Sequence, residues 1–297
     1  MALFLLIILG IDWASGYAIA GYCMTHGVNP YAYAFWQSFG PFVLLLIIQT
    51  LRRDLWLGKS GAVYAVLCGV FGIVIPNLLI YFAAKHIPSG LLTVLANIAP
   101  IFTYPLALMF RDERFSFLRM GLIALGIAGV AMIILPSQHD LTQELGNAWL
   151  YLALLIPLSY AFSAVYLSRF HPGQGSVLNY ALWMLMVSTL CVSILAVINR
   201  GYYELAFGDT NSLLIILEIL LSTIGYVLLF FILRMVGSVY YSLVNAVAVI
   251  TGVVYGYFIF GQQFSWLTII AVMVILFAIL VLTYTQKNRA GYRHTSE

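Results

Sequence analysis

Residues 85–117, KHIPSGLLTVLANIAPIFTYPLALMFRDERFSF, and residues 234–266, RMVGSVYYSLVNAVAVITGVVYGYFIFGQQFSW, are two versions of one pattern. Set side by side without a gap, they keep a constant offset of 149 (234 − 85 and 266 − 117). Lys85 meets Arg234, Ser89 meets Ser238, Thr93 meets Ser242, Phe115 meets Phe264 and Ser116 meets Ser265. In each copy a cation leads into a long apolar run, and Phe-Ser follows it. The chain repeats itself, half against half, and the rest of the reading works outward from that match.

The 297 residues are 63% hydrophobic and only 8% charged. A soluble domain carries about 25% charged residues, so this chain has too few to cover a surface in water. The apolar residues come in blocks of about 20, the length that crosses a ~30 Å hydrocarbon layer. Ten spans are expected, near residues 2–22, 32–51, 62–84, 88–110, 119–135, 147–168, 178–199, 212–233, 237–260 and 266–286. The fold class is an all-α polytopic membrane protein. The expected domains are a first five-helix repeat over 1–136, a second over 147–286 and a cytoplasmic tail over 287–297. The first span lacks the basic leader and small-residue cleavage site of a signal peptide and reads as uncleaved. Cys23, Cys68 and Cys191 are odd in number and lack CxxC spacing, so no disulfide framework is implied.

Lys and Arg set the expected orientation. With the N-terminus inside, the inner segments hold Arg52, Arg53, Lys59, Arg111, Arg114, Arg119, Arg169, Arg234, Lys287, Arg289 and Arg293, and the outer ones only Lys85 and Arg200. Both termini are therefore expected in the cytoplasm, with the chain multi-pass in the inner (plasma) membrane. An odd number of spans per half puts Lys85 outside and Arg234 inside. The halves are then inverted repeats, from which alternating access follows by symmetry. Spans 1 and 6 match more weakly, Asp12-Trp13-Ala14 with Ser159-Tyr160-Ala161.

Ten spans as five plus five, Trp13-Ala-Ser in span 1, Pro76-Asn77 with Tyr81 in span 3, and the Pro88-Ser-Gly…Pro100…Asp112-Glu113-Arg114 run of span 4 resemble the EamA branch of the drug/metabolite transporter superfamily. The resemblance covers nearly the whole chain. It implies two repeats around a central cavity, with spans 5 and 10 peripheral, and a monomer or a homodimer through those peripheral helices. It also implies export or exchange of metabolites, amino acids or drugs. The aromatic content is most similar to the aromatic amino acid exporters. Many relatives carry an Arg early in span 2, where this chain has Trp36-Gln37. That departure points away from anionic substrates and toward neutral, zwitterionic or cationic ones.

Polar side chains inside a bilayer usually face the bundle interior. Ser89, Thr93, Asn97, Pro100 and Tyr104 form one line on span 4, and Ser238, Ser242 and Asn245 form the corresponding line on span 9. Span 6 offers Ser159, Ser163 and Tyr166, span 8 offers Glu218, Ser222, Gly225 and Tyr226, and span 3 offers Asn77 and Tyr81. The competing explanation is interhelical adhesion, worth about 0.6 kcal/mol per hydrogen bond on average. The expected substrate contacts are Trp13, Tyr17, Gln37, Asn77, Tyr81, Asn97, Tyr160, Ser163, Trp183, Tyr241 and Asn245. Their aromatic members suit planar rings and organic cations, although Trp and Tyr also form interfacial belts. Asp12 lies near the midpoint of span 1, where an acidic residue costs about 2.5–3.5 kcal/mol on insertion scales. It is a candidate to carry protons or to face a substrate ammonium. Glu218, expected in the outer part of span 8, is the second proton-coupling candidate. An ion pair with outer-side Lys85 is its structural alternative.

No G-x-x-x-x-G-K-[ST] loop is present, which argues against ATP-driven pumping by this chain alone. The histidines are scattered, and no catalytic constellation is visible. The expected partners are a small-molecule substrate and the lipid bilayer, with no nucleic acid, no metal and no cofactor. The favoured function is a secondary transporter of small organic metabolites, most naturally amino acids or related compounds, with proton coupling open. A multidrug or organic-cation exporter is the alternative, and a membrane-embedded lipid-modifying enzyme is the reading from a different class.

Overall fold

The structure is a computed structural model that describes residues 2–53, 58–111, 113, 115–134, 144–170, 176–241 and 243–294. Its regular structure is helical throughout these residues. Helix α1 (Ala2–Thr25) is followed by a reversal at Gly27, whose φ of 87° favours glycine. Asn29 then accepts the Tyr31 N–H at 2.9 Å, and Pro30 opens α2 (Pro30–Arg52). Helix α3 (Gly58–Gly69) passes through a π turn (Val70–Val74) into α4 (Ile75–Ala83). The later helices are α5 (Ser89–Ala96), α6 (Ala99–Met109), α7 (Phe117–Ile134), α8 (Glu144–Ala153), α9 (Leu155–Arg169), α10 (Val177–Ile198), α11 (Thr210–Tyr241), α12 (Leu243–Phe258) and α13 (Trp266–His294).

Among the described residues, eight helical stretches of 19 to 23 residues are long and apolar enough to cross a bilayer. Two shorter apolar helices, Phe117–Ile133 and Leu243–Phe258, accompany them. Large side chains such as Ile47, Leu190, Ile194 and Phe277 are exposed along the outside, as lipid contact requires. The chain is an all-α multi-pass membrane protein.

Pro76, Pro100, Pro105 and Pro157 lead the sequence reading to expect kinks in spans 3, 4 and 6, and each of these spans is interrupted. The interruptions are the π turn at Val70–Val74, the turn at Asn97–Ile98 and the break at Leu154. A proline follows each one. Pro76 and Pro100 are the second residues of α4 and α6, and Pro157 is the third of α9. After the breaks ahead of α6 and α9 the first-turn N–H groups have no intrahelical partner, so a proline there loses nothing, whereas α4 continues from the π turn and Pro76 interrupts its hydrogen-bond ladder. Helices α6 and α9 restart just ahead of their prolines, whereas Pro105, also expected to interrupt span 4, lies inside α6 without ending it.

Spans 8 and 9 differ from expectation. The break expected between 233 and 237 is absent, and α11 runs unbroken for 32 residues to Tyr241. In the first half Pro88 precedes Ser89, the first residue of α5, and proline disfavours helix in the residue before it. The offset of 149 puts Gly237 at the position of Pro88, and glycine permits the helix to continue.

Helix α1 packs on α11 and α12, α9 on α4 and α6, α2 on α10 and α11, and α3 on α10. Helix α5 packs on α12, and α7 on α13. Beyond the end of α12, Gln262 Oε1 accepts the Gly90 N–H at 3.2 Å and Gln262 Nε2 donates to Ser89 Oγ at 3.2 Å. This ties the start of α5 to the end of α12, so these two helices run in opposite directions.

Candidate transport cavity

The breaks and small residues open a cavity of about 540 Å³ inside the bundle. Asp12, Trp13, Gly16 and Tyr17 line it from α1, and Gln37 lines it from α2. The π turn and α4 contribute Gly72, Ile73, Asn77, Ile80 and Tyr81. Asn97 and its neighbours at the α5–α6 break form another wall. Tyr160 and Ser163 come from α9, Met184 from α10, and Asn245 from α12. Helix α11 contributes Glu218, Ser222, Tyr226 and Leu229, spaced four, four and three apart and therefore on one face.

The π turn has a local chemical cause. In its register the N–H of Ile75 reaches back five residues to the Val70 carbonyl. The next donor would be Pro76, which has no N–H, so the Phe71 carbonyl needs another partner. Ser159 Oγ supplies it, donating at 2.6 Å. A serine of α9 thereby fixes the segment that carries Gly72 and Asn77 into the cavity wall.

Five polar side chains on four helices form one chain of hydrogen bonds. The Tyr160 hydroxyl donates to Asn77 Oδ1 at 3.5 Å, and Asn77 Nδ2 donates to Gln37 Oε1 at 3.0 Å. Gln37 Nε2 donates to Ser222 Oγ, and Ser222 Oγ donates to Glu218 Oε1, each at 2.9 Å. Every donor points toward the carboxylate. Asn97 is used differently, donating its amide to the Thr93 carbonyl at 2.8 Å where α5 ends.

The two carboxylates are seated reciprocally. Glu218 of α11 lies against Gly16 of α1, where an added Cβ would stand 2.9 Å from Oε1. Asp12 of α1 lies against Gly225 of α11, where an added Cβ would stand 2.6 Å from Oδ2. Asp12 is 7% and Glu218 6% exposed. Glu218 therefore sits inside the bundle, because its side of α11 faces α1 and α2. Its partner is Ser222, while Lys85 is exposed. Among the described residues, the cavity lining includes no Lys, Arg or His, and no three metal-ligating side chains gather anywhere.

Of the expected contacts, Trp13, Tyr17, Gln37, Asn77, Tyr81, Asn97, Tyr160, Ser163 and Asn245 meet in this one space, together with Asp12 and Glu218. Trp183 does not join them. It packs with Tyr64, Cys68 and Tyr180 between α3 and α10. The side chain of Tyr241 lies outside the described residues, as do those of Arg234, Ser238 and Ser242. Tyr104 leaves the expected line after the α5–α6 break and is buried under Arg119, 5.3 Å from ring centre to guanidinium carbon. Trp36 points elsewhere and donates to the Tyr203 carbonyl at 3.0 Å. Ser222 and Tyr226, which the sequence places on the polar line of span 8 but not among the expected contacts, also line the cavity, as do Gly72 and apolar residues such as Ile73, Ile80, Met184 and Leu229.

The EamA-like transporter family model matches residues 1–135 and again 147–284. The chain belongs to the EamA-like transporter family. It is a secondary transporter of small organic solutes across a membrane. A probable terminal-alkyne amino-acid exporter of Streptantibioticus cattleyicolor is 27% identical over 237 residues, covering 76% of this chain and 74% of that protein. An S-adenosylmethionine uptake transporter of Rickettsia prowazekii is 24% identical over 241 residues, covering 75% of each. A solved crystal structure with a TM-score of 0.59 covers 96% of this chain and 97% of its own at 16% identity, a likeness of fold alone.

Proposed function

We propose that this EamA-like transporter works by alternating access between two five-helix repeats of opposite sense, residues 1–136 and 147–286, in the inner membrane with both termini cytoplasmic. The packing supports that reading, because contacts occur in exchanged pairs. The packing of α1 on α12 and α11 is answered by that of α9 on α6 and α4, and α2 on α11 by α10 on α3. Gly126 faces Ala278, and Gly129 faces Ile275. Adding 149 to 126 and 129 gives 275 and 278, so each contact is the image of the other. The Ser38 and Ser188 hydroxyls, 150 positions apart, meet at 2.8 Å.

The observation that carries the substrate reading is a chamber with two carboxylates and, among the described residues, no cationic side chain. It suits amino acids or related neutral, zwitterionic or cationic compounds. Its volume falls in the usual range of small-molecule sites, about 300–1,000 Å³. The named cargoes of the two relatives both contain an amino-acid group, although one relative exports and the other takes up. Export or exchange by this chain follows from the gradients it is given. Asp12 and Glu218 are the groups that take up and release protons during transport.

The test is solute flux in proteoliposomes. Asp12→Asn is expected to abolish flux driven by a pH gradient while leaving solute counterflow intact. Unchanged pH-driven flux would remove Asp12 from coupling. The absence of flux for every amino acid and amine tested with the wild type would remove the carrier reading of this cavity.

A further inference from the structure

The two oxygens of Glu218 are in different situations. Oε1 accepts the Ser222 hydroxyl at 2.9 Å. Oε2 is buried and has no hydrogen-bond partner among the described residues, although the residue is only 6% exposed. A buried acceptor left unmade is costly and asks for an explanation. Within the relay, Ser222 has one hydroxyl proton, and it is committed to Oε1. The Gln37 amide donates one N–H to Ser222 and accepts from Asn77, and its second N–H makes no hydrogen bond to Oε2. The protein thus orients one carboxylate oxygen and leaves the other buried and unpartnered, on a residue that lines the cavity.

We propose that Glu218 Oε2 is the anchor for a primary ammonium group of the transported solute. This deepens the reading of the cavity as the solute site and rests on it. The missing partner must donate, since a carboxylate only accepts. A primary ammonium brings three N–H donors together with the opposite charge, and charge-assisted bonds of this kind are the strong ones. A quaternary ammonium brings the charge alone. It would be attracted to the carboxylate and to the faces of Tyr17 and Tyr81, yet Oε2 would stay without a hydrogen bond. A neutral amide brings a donor without the charge. The site is therefore built for amines and amino acids carrying a free –NH3⁺ and selects against fully alkylated organic cations. Asp12, on the same cavity from α1, is the competing anchor that an experiment must separate from Glu218.

The test measures binding to the purified full-length protein by calorimetry, with phenethylamine, its N,N,N-trimethyl analogue and its N-acetyl analogue as probes. Wild type is expected to bind phenethylamine at least about tenfold more tightly than either analogue, the scale of one charge-assisted hydrogen bond. Glu218→Gln should bring all three within about threefold, Glu218→Asp should retain part of the preference, and Asp12→Asn should retain most of it. The Asp variant and a monodisperse elution profile guard against a result caused by misfolding. Equal binding of the primary and trimethyl compounds overturns the anchor but leaves the cavity a solute site. So does a preference that survives Glu218→Gln and disappears in Asp12→Asn. If none of the probes binds while amino-acid flux persists, the anchor is again overturned. If binding and all flux are absent together, the cavity reading falls with it.

Discussion

Arg119, at the start of α7, is 2% exposed, and Glu218, within α11, is 6% exposed. Burial of either is unfavourable unless its charge and hydrogen bonds are met. For Arg119 they are met within the fold. Its Nη1 lies 3.1 Å from Glu113 Oε2, its Nη2 donates to the Thr285 carbonyl at 3.1 Å, and its guanidinium covers the Tyr104 ring. These contacts tie α6, α7 and α13 together at one end of the bundle. Glu218 has one oxygen held and the other unmet. The closed arrangement belongs to the architecture, whereas the open one needs something from outside the protein. The sequence reads Arg119 as one of the inner-side cations that set orientation and Glu218 as a proton-coupling candidate; their partners show which charge is met within the fold.

That contrast predicts opposite mutational signatures. Arg119→Ala should cost about 3 kcal/mol, near the low end for breaking a buried ion pair. Glu113 is 34% exposed on its side chain and can turn to water, which limits the penalty. Thermal unfolding in detergent should show the loss, while solute affinity of the folded fraction stays near wild type. Glu218→Gln should do the reverse, leaving the unfolding temperature unchanged or raised. Wild-type stability in Arg119→Ala, or a large loss in Glu218→Gln, would break the distinction between a satisfied buried charge and an unsatisfied one.

A third carboxylate sharpens it. Asp209 precedes α11, outside the spans, and accepts the Tyr203 hydroxyl, the Ser212 N–H at 2.9 Å and Ser212 Oγ at 2.8 Å. These bonds hold its carboxyl below the usual range, the Tyr203 bond first. A lowered folded value means that its stabilisation is present above the ordinary carboxylate range, about pH 4, and is lost as pH falls through the folded value. Asp209→Ala should therefore lower the unfolding temperature slightly at pH 7 and converge with wild type in acid. A difference that grows on acidification would contradict the capping role. This is the smallest of the expected effects, because the residue is only half-buried and solvent screens its charge.

Much of the scaffold was legible because each piece of it lies in a continuous stretch of chain. Apolar blocks mark the helices, and the constant offset relates residues 85–117 to 234–266. The polar lines were legible as far as a helix stays regular. Ser89, Thr93 and Asn97 are all buried on one helix, but the turn at Asn97–Ile98 resets the rotation and sends Tyr104 toward Arg119. The prolines announced interruptions without saying on which side of them the break would fall. Trp183 shows another limit. A helix that is apolar on every side gives no phase for an aromatic residue, so depth alone does not decide whether it faces a cavity or a neighbour. The relay was the least legible feature, since Gln37, Asn77, Tyr160 and Ser222 are distant in sequence and are joined only by folding. The unpartnered Oε2 of Glu218 was hidden with it.

The central claim is that the chamber around Glu218 is reached from each side of the membrane in turn. The most direct measurement places a thiol at Ala99, in the cavity wall, as Ala99→Cys in a chain whose Cys23, Cys68 and Cys191 have been replaced by serine. A membrane-impermeant maleimide is then applied to one face of sealed vesicles at a time, with and without a transported amine. Labelling from either face, slowed by the amine in both cases, is the predicted result; labelling from one face only, or labelling indifferent to the amine, would contradict the account.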